Sequence, residues 1–243
     1  MKKLLIFLAL VPVLLTAQNP SAEKILEQID RNMASKSRVL TATMVVHAER
    51  GSRTMEMKIW SEGDKKSFTE YLSPARDKGT KMLKLDDQLW MFSPSADRII
   101  QISGHMLRQS VMGSDLSYED MMDDRKLTDI YNAAVIGPDN VDSRPCWVLE
   151  LRAKTDDVAY YMRKMWIDQE RNTPIKEEWY AKAGKLLKQT TLSEVKKIEG
   201  RWFPTKMIYK DMLKTGAGTE FIINEIKFDS PIPESVFSKA SLR

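Results

Sequence analysis

The sequence predicts an α+β fold in which one amphipathic helix is followed by a large, meandering antiparallel sheet. Three observations lead there. A helical apolar period near the start gives way at about residue 38 to a period of two, which lasts almost to the end of the chain. The breaks between alternating runs are short and rich in turn formers; such breaks join antiparallel neighbours, whereas parallel pairs need crossovers of a dozen residues or more. One interruption, from Gly104 to Asp124, is far longer than the rest.

Ahead of the helix, Lys2 and Lys3 precede an apolar run, Leu4 to Leu15, that contains Pro12 and closes in Leu15-Thr16-Ala17. This run is shorter than the roughly 20 apolar residues of a membrane span, so residues 1–17 are read as a secretory signal peptide cleaved after Ala17, with an uncleaved anchor as the alternative. Residues 18–243 are then a single domain, because no Gly/Ser linker or low-complexity run divides them. Of 243 residues, 42% are hydrophobic and 30% charged, as in ordinary globular proteins. Loss of the leader, with two lysines and no acid, lowers the net charge from +4 to +2, too even a balance for nucleic-acid binding. Cys146 is the single cysteine, so no internal disulfide can form, and none follows Ala17 to accept a lipid. The mature protein is therefore expected to be soluble, not lipid-anchored.

Ser21 can cap the helix, with Ala22, Ile25, Leu26, Ile29 and Met33 at helical spacing and Glu23, Lys24, Glu27, Gln28 and Arg31 facing away. In the first strands Ala42, Met44 and Val46 alternate against Thr41, Thr43 and Val45, and Met55, Met57 and Ile59 against Glu56, Lys58 and Trp60. Further strands are expected near 66–73, 79–86, 88–93, 98–103, 127–136, 146–153, 160–168, 174–181, 185–195, 203–212 and 219–228. Glu62-Gly63-Asp64, Asp86-Asp87 and Ala183-Gly184 punctuate them as turns. Charge-rich stretches such as Arg163-Lys164 and Lys176-Glu177-Glu178 read as the water-facing side. So large a sheet can hide its apolar face by curling into a barrel, folding into a sandwich, or wrapping the helix.

The long interruption carries Met106, Leu107, Val111, Met112, Leu116, Tyr118, Met121 and Met122, more apolar residues than a water-exposed lid would need. Ser117 with Asp120 resembles a capping pair that starts a short helix and puts Tyr118, Met121 and Met122 on one side. The acids Asp115, Glu119, Asp120, Asp123 and Asp124 read as a solvated helix start. The segment is either a plain covering of the sheet's edge or mouth, or a movable cover over an apolar cavity with Gly113 as hinge. Fifteen methionines and six tryptophans suit irregular apolar partners such as acyl chains, and equally suit an ordinary core.

Signals for catalysis are weak. His47, His105 and Cys146 have no metal-ligand spacing, no Gly-x-Ser-x-Gly elbow occurs, and Thr215-Gly216-Ala217-Gly218 joins two strands instead of opening a helix. No catalytic residue, metal site or cofactor is assigned.

Gly113-Ser114-Asp115-Leu116-Ser117-Tyr118-Glu119-Asp120-Met121 resembles the signature segment of the LolA-like outer-membrane lipoprotein-sorting proteins, in the longer branch of that family. Leu89-Trp90-Met91-Phe92-Ser93-Pro94, Asn172-Thr173-Pro174-Ile175, Arg201-Trp202-Phe203-Pro204-Thr205 and Ile232-Pro233-Glu234-Ser235-Val236-Phe237 agree in order. The resemblance implies a half-open β-barrel wrapped round the N-terminal helix, with a helical or loop cover. It also implies an apolar concave face that holds lipid or lipoprotein acyl chains in the periplasm. Partners would be an inner-membrane exporter and an outer-membrane acceptor, and the protein is expected as a monomer.

Alternation selects Met44, Val46, Met55, Met57 and Ile59 as residues lining that face, with Leu83, Leu85, Trp90, Phe92, Ile100 and Ile102 from the next strands. The cover would add Leu107, Met112, Tyr118 and Met121. Two functions follow: a non-catalytic periplasmic carrier that moves lipid or lipoprotein acyl chains between envelope membranes, or an envelope interaction module, accessory to a lipid or hydrophobe exporter, that carries nothing itself.

Overall fold

The computed structural model describes residues 20–49, 51–123 and 125–243, so the expected signal peptide lies outside the described residues. Ser21 caps α1 (Ala22–Met33), its hydroxyl accepting from the Lys24 N–H at 3.3 Å, and Ala22, Ile25, Leu26 and Ile29 are buried as their spacing implies. Then come β1 (Ser37–Ala48), β2 (Gly51–Glu62), β3 (Lys66–Ser73), β4 (Lys81–Leu85), β5 (Gln88–Ser93) and β6 (Arg98–Ile102). The interruption folds as 3-10 turns at Gly104–Arg108 and Val111–Gly113, then α2 (Tyr118–Met122) and α3 (Leu127–Ile130). The remaining strands are β7 (Tyr131–Val141), β8 (Arg144–Ala153), β9 (Met162–Asp168), β10 (Pro174–Tyr180), β11 (Leu186–Ile198), β12 (Arg201–Asp211) and β13 (Gly218–Phe228), followed by 3-10 turns at Glu234–Phe237 and Lys239–Leu242. Residues 127–130, expected as strand, form α3 instead, and the strand starts at Tyr131.

All thirteen strands form one open antiparallel sheet, in the order β6-β5-β4-β3-β2-β1-β13-β12-β11-β10-β9-β8-β7. Two meanders meet where β1 pairs with β13, which leaves β6 and β7 as the two edges. This topology accounts for the long interruption. The chain between β6 and β7 must cross from one edge of the sheet to the other, and no hairpin turn can do that.

Helix and crossing segment share the inner face. Ile25, Leu26 and Ile29 pack with Leu149, Leu151, Met165 and Ile167 of β8 and β9, so α1 covers one side of the sheet. Val111 and Tyr118 of the crossing segment pack on Met44, Met55, Met57, Met82 and Ile102 on the other side. Between them lie Leu192, Phe203, Met207, Ile223 and Phe228. On the outer face, Phe237 and Leu242 of the C-terminal turns cover Phe68, Leu83 and Trp90. At the start of β13, Gly218 has φ +99°, and a Cβ there would lie 2.5 Å from the Tyr209 carbonyl oxygen, so only glycine fits this close strand approach.

The β9–β10 turn hangs on Asp168, whose side chain is 1% exposed. Its carboxylate bonds Arg144 Nε and accepts the backbone N–H groups of Glu170 at 2.9 Å and Arg171 at 3.1 Å. Burial alone would push this carboxyl up; Arg144 and the two backbone donors outweigh it and hold it below the usual carboxylate range. A lowered native value means the stabilisation is present above the unfolded value, near about 3.9, and is lost as pH falls through the native one. Asp168→Asn is expected to cost about 2 kcal/mol at pH 7 in urea melts. That difference from wild type should shrink at pH 3; an undiminished gap there would contradict the assignment.

Candidate functional site

Strand register builds the inner face as transverse rows. Leu192, Met207, Phe221, Met44 and Met55 are successive lateral partners on β11, β12, β13, β1 and β2, forming a continuous apolar band. The neighbouring row, two residues along each strand, reads Thr190, Tyr209, Thr219, Val46 and Arg53, and extends through Glu177 on β10. The inner face thus carries a polar seam beside an apolar band.

The cover, residues 104–122, docks on that seam. Asp115, 6% exposed, accepts the Thr219 hydroxyl at 2.7 Å and the Asp211 backbone N–H at 3.0 Å, while its own N–H reaches Thr219 Oγ1 at 3.0 Å. Arg53 donates to the Met112 carbonyl and, at 3.3 Å, to Met55 Sδ. Lys214 Nζ bonds the Ser114 carbonyl at 2.9 Å and Ser110 Oγ at 2.6 Å. Lys84 Nζ bonds the Met122 carbonyl at 2.8 Å. The Ser117–Asp120 pair forms the capping box its spacing implies, with Asp120 N–H to Ser117 Oγ at 3.2 Å and Ser117 N–H to Asp120 Oδ2 at 2.7 Å. Asp120 also binds Lys188, and accepts from Tyr160 Oη at 2.5 Å. Burial first, then Asp120, push the Tyr160 hydroxyl far above its ordinary range, so it remains a donor.

Beside Lys188 the seam continues as Arg163 paired with Glu177 at 2.7 Å, the Trp179 indole donating to Glu177 at 2.9 Å, and the Arg163 guanidinium 4.7 Å from the Trp179 ring centre. A cavity of about 380 Å³ opens here, lined by Arg108, Tyr160, Leu187, Lys188, Leu213 and Lys214 among others. A second, of about 550 Å³, lies between the cover and the turns at Asp64–Lys65 and Asp86–Asp87. Arg108, Glu119, Val158 and Ala159 line both, so the two follow one seam between the cover and residues 156–160. Both have mixed charged and apolar walls, and the end of the apolar band formed by Phe221, Met44 and Met55 lies under the cover.

Of the residues that alternation selects for the inner face, Met44, Val46, Met55, Met57, Ile59 and Ile102 gather there with Leu107, Met112, Tyr118 and Met121 of the cover. Ile100 stands in line with Met91 on that side but is 36% exposed at the β6 edge. Leu83, Leu85, Trp90 and Phe92 are a correction: they point to the outer face, beneath Phe237 and Val236. Their strands are apolar on both sides, so alternation gives no parity; Met82 and Leu89 face inward instead.

Two further expectations are overturned. Asp115 and Asp120 are not solvated, since both are buried and bonded to the sheet. Arg163 and Glu177 are not on a water-facing side; they pair on the inner face. Arg53, Lys188, Thr219 and Phe221 were not among the selected residues. The alternation of Phe203, Met207 and Tyr209 in β12 was the available signal for the band's second half.

A family model described as "-like: Uncharacterized protein" matches residues 63–243. No curated protein matches the chain. Among solved structures, a DUF1329 family protein from Desulfovibrio piger is similar at 25% identity and TM-score 0.82, over 90% of this chain and 97% of that one. A putative outer membrane lipoprotein-sorting protein domain from Vibrio parahaemolyticus matches at 23% identity and TM-score 0.79, over 91% and 97%. A LolA superfamily protein from Nitrosomonas europaea matches at 24% identity and TM-score 0.75, over 92% and 100%.

Asp115→Ala strips the buried Thr219 hydroxyl and Asp211 N–H of their acceptor, each such loss costing about 1–3 kcal/mol. The expected outcome is faster limited proteolysis within residues 104–122 while the sheet stays protected, read by mass mapping of the fragments. Cleavage spread evenly over the strands would show that Asp115 supports the whole fold and not the cover.

Proposed function

The chain belongs to the family whose model spans residues 63–243, with the fold of the LolA-like outer-membrane lipoprotein-sorting proteins, and on that premise we propose that it is a non-catalytic periplasmic carrier. It takes lipid or lipoprotein acyl chains onto the inner face of its sheet and moves them between an inner-membrane exporter and an outer-membrane acceptor. It acts as a monomer of one domain after loss of its leader. No helix among the described residues is long and apolar enough to cross a membrane.

One observation carries this reading: the Phe221, Met44 and Met55 end of the apolar band is closed by a segment that, among the described residues, shares no ladder with the sheet. The backbone–backbone hydrogen bonds of residues 104–122 outside its helices run within the segment or to adjoining Ser103. Side-chain bonds and packing hold it down, so it can lift without breaking a strand pair. Lifting exposes Met44, Met55, Met57 and Ile102, and a bound acyl chain offsets the lost contacts at about 0.8 kcal/mol per methylene. Met112 (φ 50°) and Gly113 (φ +78°) lie in left-handed backbone at the bend of the segment, with nothing within 4 Å of a Gly113 Cβ, a place where the chain can turn as the cover moves.

A second reading, a docking module that carries nothing, draws support from the filled inner face. Retained lipid separates the two. The gently purified protein is expected to hold lipid detectable by mass spectrometry, and the delipidated protein to bind a fluorescent fatty acid. Met57→Asp, on the inner face, should abolish binding; Ile99→Asp, at the exposed outer side of β6, should leave it intact, with circular dichroism confirming both folds. Absence of lipid together with no probe binding would favour the docking module.

A further inference from the structure

The geometry points to an oxyanion headgroup site at Lys188 and Tyr160, held shut in the closed form by the Asp120 carboxylate. Its ligand is an anionic amphiphile whose fatty-acid carboxylate or phosphate ester takes the place of Asp120. This assignment rests on the carrier reading and narrows it to charged cargo.

The Lys188 side chain is 10% exposed and that of Asp120 2%, so this ion pair is nearly out of water. The lysine belongs to the sheet and its carboxylate partner to the cover. Burying a cation without a counter-charge is strongly unfavourable, so a cover that lifts away with Asp120 leaves Lys188 demanding another anion. The surrounding charges give the same answer. Arg163 has Glu177, Arg53 has Asp77 and Lys214 has Asp211 as a counter-charge, so loss of Asp120 with the cover leaves the charge of Lys188 uncompensated. Tyr160 Oη then also lacks its acceptor.

The seam has further unused capacity. Arg163 Nε and Thr190 Oγ1 are buried without a hydrogen-bond partner among the described residues, and Thr190 lies opposite Glu177, the partner of Arg163. The cavity of about 380 Å³ reaches Lys188 and Tyr160, with Arg108 and Lys214 on its walls beside three acids, of which Asp115 and Glu119 belong to the cover and leave with it while Asp211 stays near Lys214 at 3.7 Å. Two residues along β11 from Thr190, Leu192 begins the apolar band that ends at Met55. Four strand intervals at about 4.8 Å each make that band roughly 19 Å long, room for an extended acyl tail. Headgroup and tail thus have adjoining places on one face.

The test compares hexadecanoate with hexadecanol, equal in chain and different in charge, on delipidated protein at pH 7.5. Wild type is expected to bind the acid about tenfold more tightly, as one charge-assisted contact implies. Asp120→Asn removes the competing carboxylate and should raise that preference. The double variant Lys188→Met/Asp120→Asn, which removes both charges and leaves neither stranded, should bring the preference close to one, while Ile99→Asp keeps the wild-type value. Circular dichroism and melting curves check each fold. Dipalmitoyl phosphatidic acid and inorganic phosphate distinguish the sources of the anion: phosphatidic acid should compete with hexadecanoate and inorganic phosphate alone should not. Saturable binding of inorganic phosphate, lost in the double variant, would make this a free-anion site and overturn the lipid assignment. Equal binding of acid and alcohol by all proteins would overturn the headgroup site and leave the carrier reading standing. Binding of neither would overturn both.

Discussion

Two buried carboxylates on a segment outside the sheet, Asp115 and Asp120, hold the closed form together. Each is taken out of water and bonded to a group on the inner face: Asp115 to Thr219 and the end of β12, Asp120 to Lys188 and Tyr160. Such bonds are strong when made and costly when half-broken; on the carrier reading proposed above they form a latch with two states. The apolar contacts of Val111 and Tyr118 add adhesion without direction. On that reading, releasing the carboxylates uncovers the polar seam together with the adjoining Phe221, Met44 and Met55 end of the apolar band.

The topology makes this arrangement hard to avoid. A thirteen-stranded sheet built as two meanders joined at β1 and β13 has its sequence-adjacent edges, β6 and β7, at opposite ends. The connection between them must cross one face of the sheet, and it crosses the inner one, where it packs on Met44, Met55, Met57 and Ile102. α1 covers the β8–β9 portion. The inner face is thus divided into a helix-covered part and a part covered by residues 104–122, and the carrier reading needs only the second to move.

Strand positions were legible because alternation and short turns are local properties: β3 and β5 begin and end where the pattern does. The capping pair Ser117–Asp120 was legible for the same reason. Facing was readable only where one side is polar. In β2 the set Met55, Met57 and Ile59 declares its side, but in β5 Leu89, Trp90, Met91 and Phe92 form an unbroken apolar run, and the choice of face depends on Phe237 and Leu242 far along the chain. The same limit hid the latch. Buried acids look like solvated ones in sequence, and only the fold brings Asp120 to Lys188 or pairs Arg163 with Glu177.

Hydrogen exchange of the cover with and without bound fatty acid tests the central claim most directly. If cargo replaces the cover on the inner face, the amides of Val111, Ser114 and Tyr118 lose protection on loading while those of β1, β2 and β13 keep it. Saturable loading with the cover's protection unchanged would contradict the account, because the chain would then be bound somewhere other than beneath residues 104–122.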